Sequence, residues 1–175
     1  MSDIERDFRL ALNRWRKHIA EKSYFSMSGP YLDCDAYREL VSMGIETLPH
    51  IHNQLSKEIK TDNFYENWLN KIKVRVFETV DVELFDDKYH IISKDEEFQE
   101  YSKGYDKDVI GRPGMLWCQL LYEIAPDFEI PRDIAGKVKK MEEFALKWLD
   151  ENMGKYLAEV LDENLTKHVN SMDED

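Results

Sequence analysis

PGMLWCQLLYEIAPDFEIPRDIAGKVKKMEEFALKWL, residues Pro113 to Leu149, is the stretch whose reading decides the fold. Leu116, Trp117, Leu120, Leu121 and Ile124 recur at the spacing that makes one face of a helix apolar. Val138, Met141, Phe144, Ala145, Trp148 and Leu149 repeat the pattern. Between the two runs stand Pro126 and Pro131, and proline lacks the backbone donor and disfavours helix in the residue before it. The stretch therefore predicts a helical hairpin with Trp117 and Trp148 on its inner faces.

Upstream, Ile4, Phe8, Ala11, Leu12, Trp15 and Ile19 share one helical face from Asp3 to about Lys22, with Arg6, Arg9, Arg14, Arg16 and Lys17 on the remainder. Those cations read as a solvated face. Ser23 to Tyr31 is a break punctuated by Gly29-Pro30, whose aromatics are expected to fold back on the core. Asp35 is the expected N-cap of a helix from Ala36 to Met43 that stops at Gly44, and Thr47 the expected cap of the next, from Leu48 to about Ile59. Proline at 49 is compatible with a helix start, because first-turn donors have no partner. Helix, glycine break and Leu-Pro restart in YRELVSMGIETLPHIHNQL resemble one unit of a HEAT-type helical repeat.

Segment 60–112 stands apart. Phe64, Tyr65, Trp68, Leu69, Ile72 and Val76 continue a helical pattern, but Val74, Val76, Val80, Val82 and Leu84 also fit the two-residue period of a strand. The reading adopted is helix to about Thr79 and an extended or irregular stretch after it. From Asp86 to Arg112 the chain is polar, broken at Gly104 and Gly111, with a short helix expected near Glu96 to Ser102 and mobility in the remainder. Beyond the central hairpin a break or kink is expected at Asn152 to Gly154. Tyr156, Leu157, Val160, Leu161, Leu165 and Val169 then predict one more amphipathic helix, ending in a frayed acidic tail at 171–175. The expected architecture is thus all-α, one domain over 1–175 built of antiparallel helical hairpins of HEAT-like character, with room for a small extended element in the insert.

The order Trp15, Tyr37 to Gly44, Leu48-Pro49, Leu55, Trp117, Leu120, Ile124, Pro131, Gly136 and Trp148 resembles a family of small uncharacterised bacterial and archaeal proteins. Their pattern is a helix ending in Met-Gly, a Leu-Pro helix, a Trp helix, a Pro/Gly loop and a closing Trp helix. The resemblance implies a compact helical fold and, since its motifs are apolar, carries no catalytic residues to transfer. The chain departs from it between Ile59 and Pro113.

Composition narrows function. With 42% apolar and 12% aromatic residues in 175, the chain is built to fold. Two cysteines far apart, Cys34 and Cys118, match no metal or redox spacing and suit a reducing compartment. The first residues lack the apolar run of a signal peptide, and no segment reaches the length of a membrane span, so a cytoplasmic protein is expected. A formal charge of −12 opposes nucleic-acid binding, although Met1 to Lys22 carries six basic against four acidic residues.

The chemistry-bearing residues form no known constellation. His50 and His52 are two apart, which on a helix points them away from each other and from any shared metal. Asp106, Asp108 and Gly111 match positions 1, 3 and 6 of a calcium loop, but Ile110 and Trp117 stand where oxygen ligands are needed. Cys118 beside Trp117 reads as a buried thiol. Asp81, Glu83, Asp86, Asp87, Asp95, Glu96 and Glu97 read as a solvated acidic surface able to attract a cationic protein. The residues nominate no catalytic, cofactor or metal site. The expectation is a non-enzymatic protein that binds another protein through a helical surface, with the insert as the variable part. Two other readings stay open: an enzyme assembled from His50, His52, Cys118 and insert acids, and an acidic mimic of nucleic acid belonging to a mobile element.

Overall fold

The computed structural model describes residues 2–22, 27–85 and 88–172, the side chains of 74–85, 88–92 and 171–172 excepted. The fold is helical, as the periodicities predict, and falls into two compact units, 1–57 with 111–175, and 58–110. No helix among the described residues is long and apolar enough to cross a membrane.

The first unit begins with α1 (Asp3–Glu21), capped by the Ser2 hydroxyl, which accepts from the Glu5 amide at 3.2 Å. Its inward stripe is the predicted one: Phe8, Ala11, Leu12, Trp15 and Ile19 are buried. After the short helix α2 (Gly29–Leu32) comes α3 (Asp35–Met43), which packs on α1. Asp35 does not cap it. Cys34 holds the cap position in extended conformation, while the Asp35 carboxylate accepts from Arg38 at 2.8 Å. Gly44 leaves α3 at φ 66° into a 3-10 turn (Gly44–Thr47) that runs straight into the next helix. Thr47 is therefore buried and donates its hydroxyl to the Gly44 carbonyl at 2.7 Å, instead of accepting as a cap.

The central hairpin is α6 (Leu116–Ile124), the loop 125–137 and α7 (Val138–Met172). Trp117 is fully buried, edge-on to Trp15 at 5.5 Å, so α1 and α6 meet through two tryptophans. The loop contributes to the core as well: Phe128 is buried edge-on to Trp148 at 5.2 Å, and the Tyr122 hydroxyl accepts from the Ile130 amide at 2.8 Å. Val138, expected on the inner face, is 48% exposed because it opens α7 before the helix reaches the core. The break expected at Asn152 to Gly154 does not occur. Gly154 sits inside α7, and the Asn152 side chain donates to the Trp148 carbonyl one turn back at 2.8 Å. Residues 173–175, the frayed tail of the sequence reading, lie outside the described residues, as do Tyr24 and Phe25.

The second unit coincides closely with the insert. Its first element, α4 (Leu48–Thr79), starts in the first unit and runs on without the interruption expected after Ile59. Nothing in Lys60 to Asn63 is glycine or proline, so the helix has no cause to stop there. It gives way at Val80 to an antiparallel hairpin of β1 (Val80–Phe85) and β2 (Lys88–Ser93), in register from Val80 opposite Ser93 to Phe85 opposite Lys88. In the polar segment, Lys88–Ser93 is this second strand, and the short helix expected near Glu96 to Ser102 is present and longer, as α5 (Glu96–Val109). Asp95 caps α5, accepting from the Phe98 amide at 3.0 Å, and Gln99 donates to the Ser93 carbonyl at 2.8 Å, tying helix to hairpin. The core here is aromatic: Tyr65 and Ile72 of α4 against Tyr101 of α5, with Trp68 and Phe98 half-buried around them. Gly104 lies within α5, where a Cβ would meet the Tyr65 hydroxyl at 3.0 Å; its bare backbone lets that ring cross the helix.

Candidate functional site

The dispersed candidates go to separate places. His50 lies against the Phe8 ring at 5.3 Å, beside the core. Two residues on, His52 turns to α7 and its Nε2 meets Asp150 Oδ1 at 2.6 Å. This divergence is what the helical spacing predicts, and each imidazole serves the packing of α4 on its own neighbour.

Cys118 is buried, and its Sγ faces the Met141 carbonyl at 3.7 Å. Burial pushes its thiol up to about 12, with the Glu142 carboxylate adding to the effect, so it stays protonated at neutral pH and is no nucleophile. Asp106 and Asp108 belong to α5, which rules out a calcium loop, and Asp108 accepts from the Tyr65 hydroxyl at 2.7 Å. That bond, helped by desolvation, pushes the Tyr65 phenol up to about 12. Asp95, Glu96 and Glu97 sit at the α5 N-terminus, where the helix dipole favours negative charge. The side chains of Asp81 and Glu83, and the whole of Asp86 and Asp87, lie outside the described residues. Among the described residues, no three His, Cys, Asp or Glu are grouped to hold a metal ion.

A further polar contact escaped the sequence reading: the Tyr37 hydroxyl donates to Glu123 Oε1 at 2.9 Å, joining α3 to α6, and burial together with that carboxylate raises its pKa. An open cleft of about 400 Å³ is lined by His18, Lys22, Gly29, Pro30 and Asp33. Its polar groups already serve the fold, His18 Nε2 donating to the Pro30 carbonyl at 2.7 Å and Asp33 accepting from Arg38 at 3.2 Å.

Among the described residues, the second half of α7 stands out for its exposed apolar side chains. The helix's last buried residue among those described is Tyr156. Beyond it the helix continues to Met172, about 24 Å at 1.5 Å per residue. Leu157 and Val160 are half-buried, whereas Leu161, Leu165 and Val169 are 63%, 62% and 56% exposed. Leu157, Leu161, Leu165 and Val169 step by four and form one ridge of the i±4n kind. Periodicity identified the apolar face correctly but could not say that the core is used up before it. From Leu149 to Leu161 the helix turns the apolar line by about 120°, away from the side that holds Trp148 and Leu149.

No family profile, no curated protein and no solved structure matches the chain.

Proposed function

We propose that this chain is a cytoplasmic, non-enzymatic protein that binds another protein, and that the α7 ridge of Leu157, Leu161, Leu165 and Val169 receives a helix of that partner. The observation that carries the reading is the exposure of three large aliphatic side chains in a row on a helix that extends past the core. Soluble surfaces scatter such residues singly; a contiguous line of them marks an interaction surface. A ridge stepping by four is matched by the groove of a second helix crossing at about −50°, so a crossing partner helix fits it better than a coiled coil with its seven-residue repeat. The cytoplasmic part of the proposal is supported by two free cysteines, one of them buried. The HEAT-like character drawn from the sequence belongs to the same proposal, since proteins of that architecture bind through exposed helix surfaces.

The test is capture of the partner from cells of origin by the wild-type chain, followed by calorimetry with the purified pair and with Leu161→Asn/Leu165→Asn. Burying the two leucines contributes about 2 kcal/mol or more, so the double variant is expected to bind at least about 30-fold more weakly while melting as wild type does. Unchanged affinity would refute the ridge as the docking surface.

A further inference from the structure

The insert carries a face that complements the α7 ridge in shape and charge. On α4, Lys60, Phe64 and Trp68 step by four along one line, and Asn67 and Lys71 along the next. The groove between these lines holds an open cleft of about 430 Å³ lined by Phe64, Asn67, Trp68 and Lys71. Phe64 is 55% exposed although two aromatic rings stand beside it, Tyr65 at 5.2 Å and Trp68 at 5.7 Å. Lys60, Asn67 and Lys71 are exposed as well. Acids of the same stretch, Asp62 and Glu66, fall on the far side of the helix, two positions either way from Phe64. The face is thus aromatic at its centre and cationic at both ends, with the two lysines about 16 Å apart along the axis.

An occupant of this face needs an apolar ridge of the four-residue kind and an acidic surround. The chain supplies one. Between Asp150 and Asp175 it carries eight acids against two lysines, and Asp162 lies beside the ridge, about 60° of arc from Leu165. We propose that the second half of α7 of one copy seats in the α4 groove of another, so that copies of this chain associate head to tail. The proposal rests on the reading of the ridge as a docking surface and adds the identity of its partner. Ridge and groove are both of the i±4n class, the pairing that crosses helices at about −50°. The cationic groove meets Asp162 and the net acidic second half of α7, which favours this contact over ridge against ridge, where Asp162 of both copies would crowd together. Because the two surfaces differ, the contact is heterologous.

The experiment is sedimentation velocity on the full chain from micromolar to millimolar concentration, with two variants of unchanged circular dichroism. Lys60→Glu/Lys71→Glu breaks the groove and leaves its aromatic packing in place; Leu161→Asn/Leu165→Asn breaks the ridge. Wild type is expected to associate as concentration rises, each variant to associate at least about tenfold more weakly, and an equimolar mixture of the two to form a one-to-one pair, since one good groove then meets one good ridge. Adding Asp162→Lys to the groove variant is expected to restore part of the association. A wild type that stays monomeric throughout overturns the proposal, and so does a groove variant that associates as wild type. In that second case, loss of association in the ridge variant leaves the ridge standing as a docking surface that seats elsewhere on the second copy.

Discussion

Gly111 is where the chain re-enters the first unit, and replacing it by alanine is a sharp test of the packing described. Its φ is +75°, and a Cβ there would lie 2.4 Å from the Arg16 carbonyl oxygen and 3.3 Å from Ala20 Cβ. Holding alanine in the left-handed region costs about 1–2 kcal/mol. The clash adds to it, because the obstacle is the backbone of α1. Reaching even 3.2 Å requires the Arg16 carbonyl to swing out of line, which weakens a helix hydrogen bond worth about 1 kcal/mol. Gly111→Ala is therefore expected to lose about 2–4 kcal/mol. At about 2–4 °C per kcal/mol for a chain of this size, the melting temperature falls by roughly 5–15 °C. Gly154 is the internal control. It lies mid-helix with nothing within 4 Å of a built Cβ, so Gly154→Ala is expected to gain about 0.5–1 kcal/mol from helix propensity alone. Urea unfolding followed by circular dichroism at 222 nm measures both. A Gly111→Ala variant within 0.5 kcal/mol of wild type would refute the close approach of the 110s turn to α1.

Three further outcomes follow from the same contacts. A thiol reagent on the native protein is expected to modify Cys34, which is half-buried, and to leave Cys118 unreacted until denaturant is added; fast reaction of both would contradict the burial of Cys118. Because its folded pKa is raised, Cys118 contributes stability that is intact below the ordinary thiol range and lost as pH climbs toward about 12, so Cys118→Ala is expected to flatten the alkaline limb of the stability curve. Lys155 donates to Asp127 at 2.9 Å and holds that carboxyl below its ordinary range, an effect lost as pH falls through the lowered value. Carbon-detected NMR titration of wild type and Lys155→Met reads this directly, the variant returning Asp127 toward its ordinary pKa. With both groups more than half exposed, the melting temperature should barely move.

How much of this was legible in the sequence depends on what the residues had to meet. The buried stripe of α1, the Trp117/Trp148 hairpin and the change from helix to extended chain after Thr79 follow from local periodicity and from proline, and all three stand in the structure. The failures share a cause. Gly104 and Gly154 read as breaks because glycine is a weak helix former, yet one is required by the Tyr65 ring and the other is carried by a helix long enough to absorb its small cost. Thr47 and Asp35 read as caps because their side chains suit the role, but the 3-10 turn left no cap position for Thr47 and Arg38 took the carboxylate of Asp35. The ridge of α7 read as the apolar face of one more amphipathic helix, because periodicity shows which face is apolar and nothing about whether a partner surface exists inside the chain.

Site-specific photocrosslinking in cells of origin tests the central claim most directly. A crosslinking residue is placed in turn at Leu161 and Leu165 on the ridge, and at Glu159 and Glu163, which lie on the opposite side of the same helix turns. The account predicts a discrete protein adduct from the two ridge positions and little from the two acidic ones. Equal adducts from all four positions, or none from Leu161 and Leu165, would contradict the assignment of the α7 ridge as the surface through which this protein binds.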